Sequence, residues 1–96
     1  MDKKYILSKL REYKITHQQE YGIELLGIFG SYARDEANPD SDVDVVVKLK
    51  KQDLFNIIGI KQDLEDTLLL SVDVVSYRPT MDSFLRKRID RDAVYV

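Results

Sequence analysis

No cysteine occurs in the 96 residues, which excludes disulfides, thiol nucleophiles and cysteine-ligated zinc. The single histidine, His17, leaves no His cluster for a metal and no nucleophile–histidine pair unless His17 itself serves. Glycine and proline are sparse, four and two, and no linker, low-complexity tract or internal repeat interrupts the chain. Long apolar runs are missing as well. The N-terminal stretch MDKKYILSKLREYK is broken by charges every few residues, so neither a signal peptide nor a membrane span is expected and the protein is expected in the cytoplasm. Nor is there an excess of one charge. Fifteen Lys and Arg against seventeen Asp and Glu leave a net charge of -2, which argues against a domain that coats nucleic acid. What remains is 44% hydrophobic and 33% charged, enough for a core in a chain that still dissolves. A single domain over residues 1–96 is expected, because two cores need at least about 50 residues each.

Helical and strand periodicities alternate along the chain. Ile6, Leu7, Leu10 and Tyr13 recur at helical spacing within residues 3–20, and Gly22 is placed to close that helix. Residues 23–29, IELLGIF, form a nearly continuous apolar run of strand length, as in a strand covered on both faces. Ser31 is placed to N-cap a short helix through Tyr32, Ala33 and Arg34, and residues 38–41, NPDS, read as a turn. From Asp42 the period becomes two: Val43, Val45, Val47 and Leu49 face one way, Asp42, Asp44, Val46 and Lys48 the other. Residues 52–69 return to helical spacing through Leu54, Ile57, Ile58, Leu64 and Leu68. Residues 71–77, SVDVVSY, make a third strand, stopped by Pro79. A last helix is expected from a Thr80 cap, turning Phe84, Leu85 and Ile89 inward; the tail from Ala93 fits either an extended or a helical form. The predicted fold is α/β, a small domain with a short mixed sheet of three or more strands flanked by helices.

The acidic residues carry the chemistry. Asp42 and Asp44 leave the same face of a valine-rich strand, about 6.5–7 Å apart at Cα, and Asp73 repeats the oddity between Val72 and Val74. Aspartate is a poor strand former and is rarely buried without a partner. Surface alternation would explain one Asp-x-Asp; three such carboxylates together favour a cation, and hard oxygen ligands suit Mg²⁺ held with nucleotide phosphates. Gly30-Ser31, between a strand and a short helix, offers a close backbone approach, a hydroxyl and N–H groups to a phosphate, a weak signal alone. Arg34 could grip a phosphate or pair with Asp35 or Glu36. His17 reads as solvent-facing, Lys48, Lys50 and Lys51 as a solvated strand end. Arg86, Arg88 and Arg91 read either as a charged helix face or as a partner surface.

Gly30-Ser31, ten residues, then Asp42-x-Asp44 resembles the signature of the polymerase-beta-type nucleotidyltransferases, and LGIFGSYARDEANPDSDVDVVV resembles the minimal nucleotidyltransferases of prokaryotes. The resemblance covers essentially the whole chain, including residues 72–75 and the closing residues 88–96. It implies the nucleotidyltransferase fold, with Gly30 and Ser31 on the nucleotide triphosphate. It likewise implies that Asp42, Asp44 and Asp73 are catalytic and bind one or two Mg²⁺, with Asp73 assisting the attacking hydroxyl. The implied activity is transfer of AMP from ATP to a hydroxyl, and the implied partner is a HEPN-type toxin whose tyrosine is the acceptor and whose antitoxin this chain would be. Another protein would have to present the acceptor, because 96 residues leave no room for an acceptor domain. The family usually has glycine where Asp35 stands, so this chain adds a negative charge beside the expected phosphate site. Asp35 favours a second reading, a non-catalytic antitoxin or binding module that neutralises its partner by complex formation; the intact set of Gly30, Ser31, Asp42, Asp44 and Asp73 speaks against it.

Overall fold

The Asp2 carboxylate accepts a hydrogen bond from the Tyr5 amide at 2.9 Å, satisfying one of the unpaired N–H groups at a helix start. In the computed structural model, which describes residues 2–96, that helix is α1, Lys3–Tyr21. It buries Ile6, Leu10 and Tyr13 and ends at Gly22, whose φ of 65° is the left-handed conformation that glycine adopts freely. The chain then reverses into β1, Ile23–Phe29, followed by the four-residue helix α2, Gly30–Ala33. An Asx-type turn at Asn38, with Asn38 Oδ1 accepting from the Asp40 amide at 2.9 Å, leads to β2, Val43–Leu49. Helix α3, Leu54–Leu68, is capped by Asp53 and carries the chain back so that β3, Val72–Ser76, lies parallel to β2. Helix α4, Ser83–Asp92, and a two-residue strand β4, Val94–Tyr95, complete the order.

The sheet order is β3-β2-β1-β4, with β1 antiparallel to both β2 and β4. The expected α/β architecture with a mixed sheet is present, and the undecided tail supplies the fourth strand. That strand can approach because residue 27 is glycine: a Cβ there would run into the Val94 carbonyl and lie 2.9 Å from Tyr95 Cα. The two faces of β2 are used differently. Val43, Val45 and Val47 enter the main core with Ile6, Leu10, Ile60, Leu64 and Leu68, all fully buried. Val46 enters a smaller cluster with Phe29 and Ile89, so α4 lies over the face from which Asp44 also projects. Among the described residues no helix is long and apolar enough to cross a membrane.

Four expectations about side chains are corrected. The inward stripe of α3 runs Ile57, Ile60, Leu64, Leu68, at spacings of three and four; Leu54 and Ile58 lie on its flank and are exposed. Asp82, not Thr80, caps α4, accepting from the Leu85 amide at 3.1 Å. That start sets the helix phase so that Leu85 and Ile89 turn inward, and Phe84 is left 76% exposed. His17 is half-buried rather than solvent-facing, stacked on Tyr13 at 4.1 Å with Tyr21 beyond it.

Candidate active site

The register of the sheet assembles the site. Asp44 pairs with Asp73 across the parallel β2–β3 ladder and with Phe29 across the antiparallel β1–β2 ladder. The carboxyl-terminal end of β1 and the starts of β2 and β3 therefore meet, and Asp42, two residues before Asp44, shares its face. Asp42 and Asp73 are exposed and Asp44 is half-buried. Burial, and the negative charges of Asp73 and Asp42, hold the Asp44 carboxyl above its ordinary value; Arg88 and Arg34 pull in the opposite direction.

Gly30 touches this group directly. Its φ of 73° is left-handed, and a Cβ built there would strike Asp44 Oδ2. Glycine is thus required twice, by backbone conformation and by the carboxylate packed against it. Ser31 lies inside α2, and the expected capping role is corrected: Phe29 occupies the cap position and no side chain caps this helix. Because β1 runs straight into α2 at Gly30, the cap position falls two residues before the serine. Ser31→Ala is consequently expected to leave the melting temperature near that of the parent. A fall in nucleotide affinity in that variant would place the hydroxyl on the ligand; unchanged affinity would remove Ser31 from the site.

Arg34 does not pair with Asp35. Its Nε donates to Glu36 at 3.2 Å and one terminal nitrogen to Asp92 at 2.7 Å, tying α2 to α4. Arg91 grips the same Asp92 through two further bonds of 2.8 and 3.1 Å. Held by Arg91 and Arg34, the Asp92 carboxyl is pulled down to about 2. Its side chain is only 4% accessible, so this clamp fixes the last turn of α4 against the start of the site. Sequence reasoning missed Asp92, because its partner Arg34 is 58 residues away.

Asp35 takes a left-handed φ of 58°, which explains why a glycine suits the position. Its carboxylate is 3.7 Å from Lys3 Nζ, so the added charge is drawn toward α1. Asp35→Gly is expected to stabilise the fold by about 1 kcal/mol, since relief of the left-handed strain exceeds the loss of one exposed ion pair. Nucleotide affinity should be unchanged or improved. A lower melting temperature than the parent's in thermal unfolding would contradict this.

The carboxylate face suits a hard cation by its donors and by the repulsion between them. Among the described residues no three acidic or imidazole side chains converge closely enough to enclose an ion alone. Mg²⁺ does not require that, since it is commonly held by one or two carboxylates with waters and substrate phosphates in the remaining positions.

Comparison with known proteins gives the family and the fold. The model of the family described as polymerase beta, nucleotidyltransferase, matches residues 10–96. The protein adenylyltransferase MntA of Thermococcus cleftensis is 37% identical over 92 residues, 95% of this chain and 92% of its own. The solved structure of a candidate minimal nucleotidyltransferase superposes with a TM-score of 0.79 at 33% identity, covering 98% of this chain and 95% of that one. A complex of a tri-AMPylated HEPN toxin from Shewanella oneidensis with its MNT antitoxin matches with a TM-score of 0.72 over 97% of this chain and 70% of the other. At 19% identity that likeness concerns the fold. With the family model covering nearly the whole chain, and the glycine turn set against the Asp44–Asp73 pair of the β2–β3 ladder, this chain belongs to the polymerase-beta nucleotidyltransferase family.

Proposed function

We propose that this chain moves AMP from ATP to a tyrosine hydroxyl of a partner HEPN-type toxin and so acts as the toxin's antitoxin in the cytoplasm. The observation that carries the reading is the pairing of Asp44 with Asp73 across the parallel ladder, beside a glycine whose missing Cβ makes room for the Asp44 carboxylate. The similarity to the Thermococcus adenylyltransferase supports the group transferred, and the AMPylated toxin complex supports the kind of partner.

In this reading Gly30 and Ser31 receive the triphosphate, with Arg34 at the edge of α2. Asp42, Asp44 and Asp73 are the residues that would hold one or two Mg²⁺, which when bound would neutralise phosphate charge and polarise the phosphoryl group. The acceptor oxygen bonds to the α-phosphorus, the bond from that phosphorus to the bridging oxygen breaks, and pyrophosphate leaves with the electron pair. Asp73, exposed at the start of β3, takes the hydroxyl proton. Positioning and fixed charge do most of the work. The chain acts as one domain, with the acceptor brought by the partner.

The test is incubation with labelled ATP, Mg²⁺ and a HEPN-type protein encoded beside it. Label on the partner's tyrosine, dependent on Mg²⁺, is the expected result. Neutralisation of the toxin without any label would instead support the non-catalytic binding reading.

A further inference from the structure

A triphosphate entering this face meets three carboxylates, so fixed positive charge must oppose them. The arginines near the site are largely committed already. Arg34 is divided between Glu36 and Asp92, Arg91 is bound to Asp92, and Arg86 donates to the Pro79 carbonyl at 3.0 Å. Among the described residues, Arg88 has no ion pair and no hydrogen bond, and it is exposed. It directly precedes Ile89, which is buried against Phe29 and Val46. Val46 lies two residues along β2 from Asp44 on the same face, and Phe29 is Asp44's partner across the ladder.

The geometry points to Arg88 as the side chain of α4 that grips the phosphates of the nucleotide, from across the carboxylate face. The inference rests on the nucleotide-transfer reading and adds a residue to it. A planar guanidinium offers two parallel donors to a phosphate, which a carboxylate face otherwise lacks. α4 is held in place for this by the Asp92 clamp one turn further along, so Arg88 projects from a fixed helix rather than from a loop.

The experiment measures binding of a non-hydrolysable ATP analogue with Mg²⁺ by calorimetry, using the parent, Arg88→Ala and Arg88→Lys, with adenosine as the ligand lacking phosphate. Arg88→Ala is expected to weaken the ATP analogue at least tenfold and to leave adenosine unchanged. Arg88→Lys should recover part of the loss, because it keeps the charge and loses the paired donors. Both variants should melt close to the parent, since the side chain is exposed and, among the described residues, holds no hydrogen bond or ion pair. Analogue affinity equal to the parent's in Arg88→Ala overturns the inference, and so does a loss shared equally by adenosine. A slower transfer rate with unchanged analogue affinity also overturns it, since Arg88 would then act through Asp44 alone. If the parent itself neither binds the analogue nor transfers AMP, the nucleotide-transfer reading fails, and this inference with it.

Discussion

Asp44→Asn is expected to reduce AMP transfer by about a thousandfold or more, roughly 4 kcal/mol of transition-state stabilisation, while the fold holds or gains stability. The two effects have one cause. Asp44 is partly buried beside Asp73 and Asp42, so its ionised form is disfavoured in the folded protein and its carboxyl sits above the ordinary 3.8. The folded state therefore binds a proton more tightly than the unfolded chain does. Between 3.8 and the raised value, stability falls as pH rises, and above both the whole penalty is present. Removing the charge removes the penalty, so the advantage of the Asn variant should be largest at neutral pH and vanish below about pH 3.8. Mg²⁺ should raise the melting temperature of the parent more than that of the variant, because a ligand that binds only the folded state stabilises it by mass action. Thermal unfolding at pH 3 to 8, with and without Mg²⁺, together with the labelled-ATP assay, reads all three effects. Parental transfer by the variant would remove Asp44 from the site, and a clearly lower melting temperature at neutral pH would make it a structural residue.

Much of this site could be read from local pattern, because the strand period is exact where it matters. Alternation in residues 42–49 assigns Asp42 and Asp44 to the face away from Val43, Val45 and Val47, and the structure places those valines in the main core. The short apolar run at 23–29 and the glycine at 22 likewise fix β1 by local chemistry alone. The phase of the helices was less legible. Leu54, Ile58 and Phe84 are apolar at plausible helical spacing, yet which arc of a helix meets the sheet depends on where the helix starts and what it crosses. Asp82 and Thr80 are both competent caps, and the choice between them turns Phe84 from the core to the surface. The Asp92 clamp and the availability of Arg88 were out of reach for a different reason. Each depends on side chains brought together from opposite ends of the chain, and a charge run in sequence does not say which charges are already paired.

Gly30→Ala is expected to damage both the fold and the site. Two separate penalties fall on it. The backbone φ of 73° costs an alanine about 1–2 kcal/mol relative to glycine. The new Cβ also meets Asp44 Oδ2, and relieving that collision requires moving either the turn or the carboxylate. Together these correspond to a loss of about 2–4 kcal/mol, and at about 4–8 °C per kcal/mol in a domain this size the melting temperature should fall by more than 8 °C. Transfer should be lost as well, since Asp44 is displaced even in molecules that remain folded. A double-mutant cycle separates the two penalties. In an Asp44→Ala background the oxygen is gone, so Gly30→Ala should retain only the backbone penalty and cost measurably less. Urea unfolding of the parent, the two single variants and the double variant gives the coupling. Strict additivity would mean that Gly30 is required for its backbone alone and that the carboxylate does not depend on the missing Cβ. A double variant that costs about 1 kcal/mol or more less than the sum of the two single variants is the expected result, and it would tie the glycine turn and the first carboxylate of the ladder into one unit.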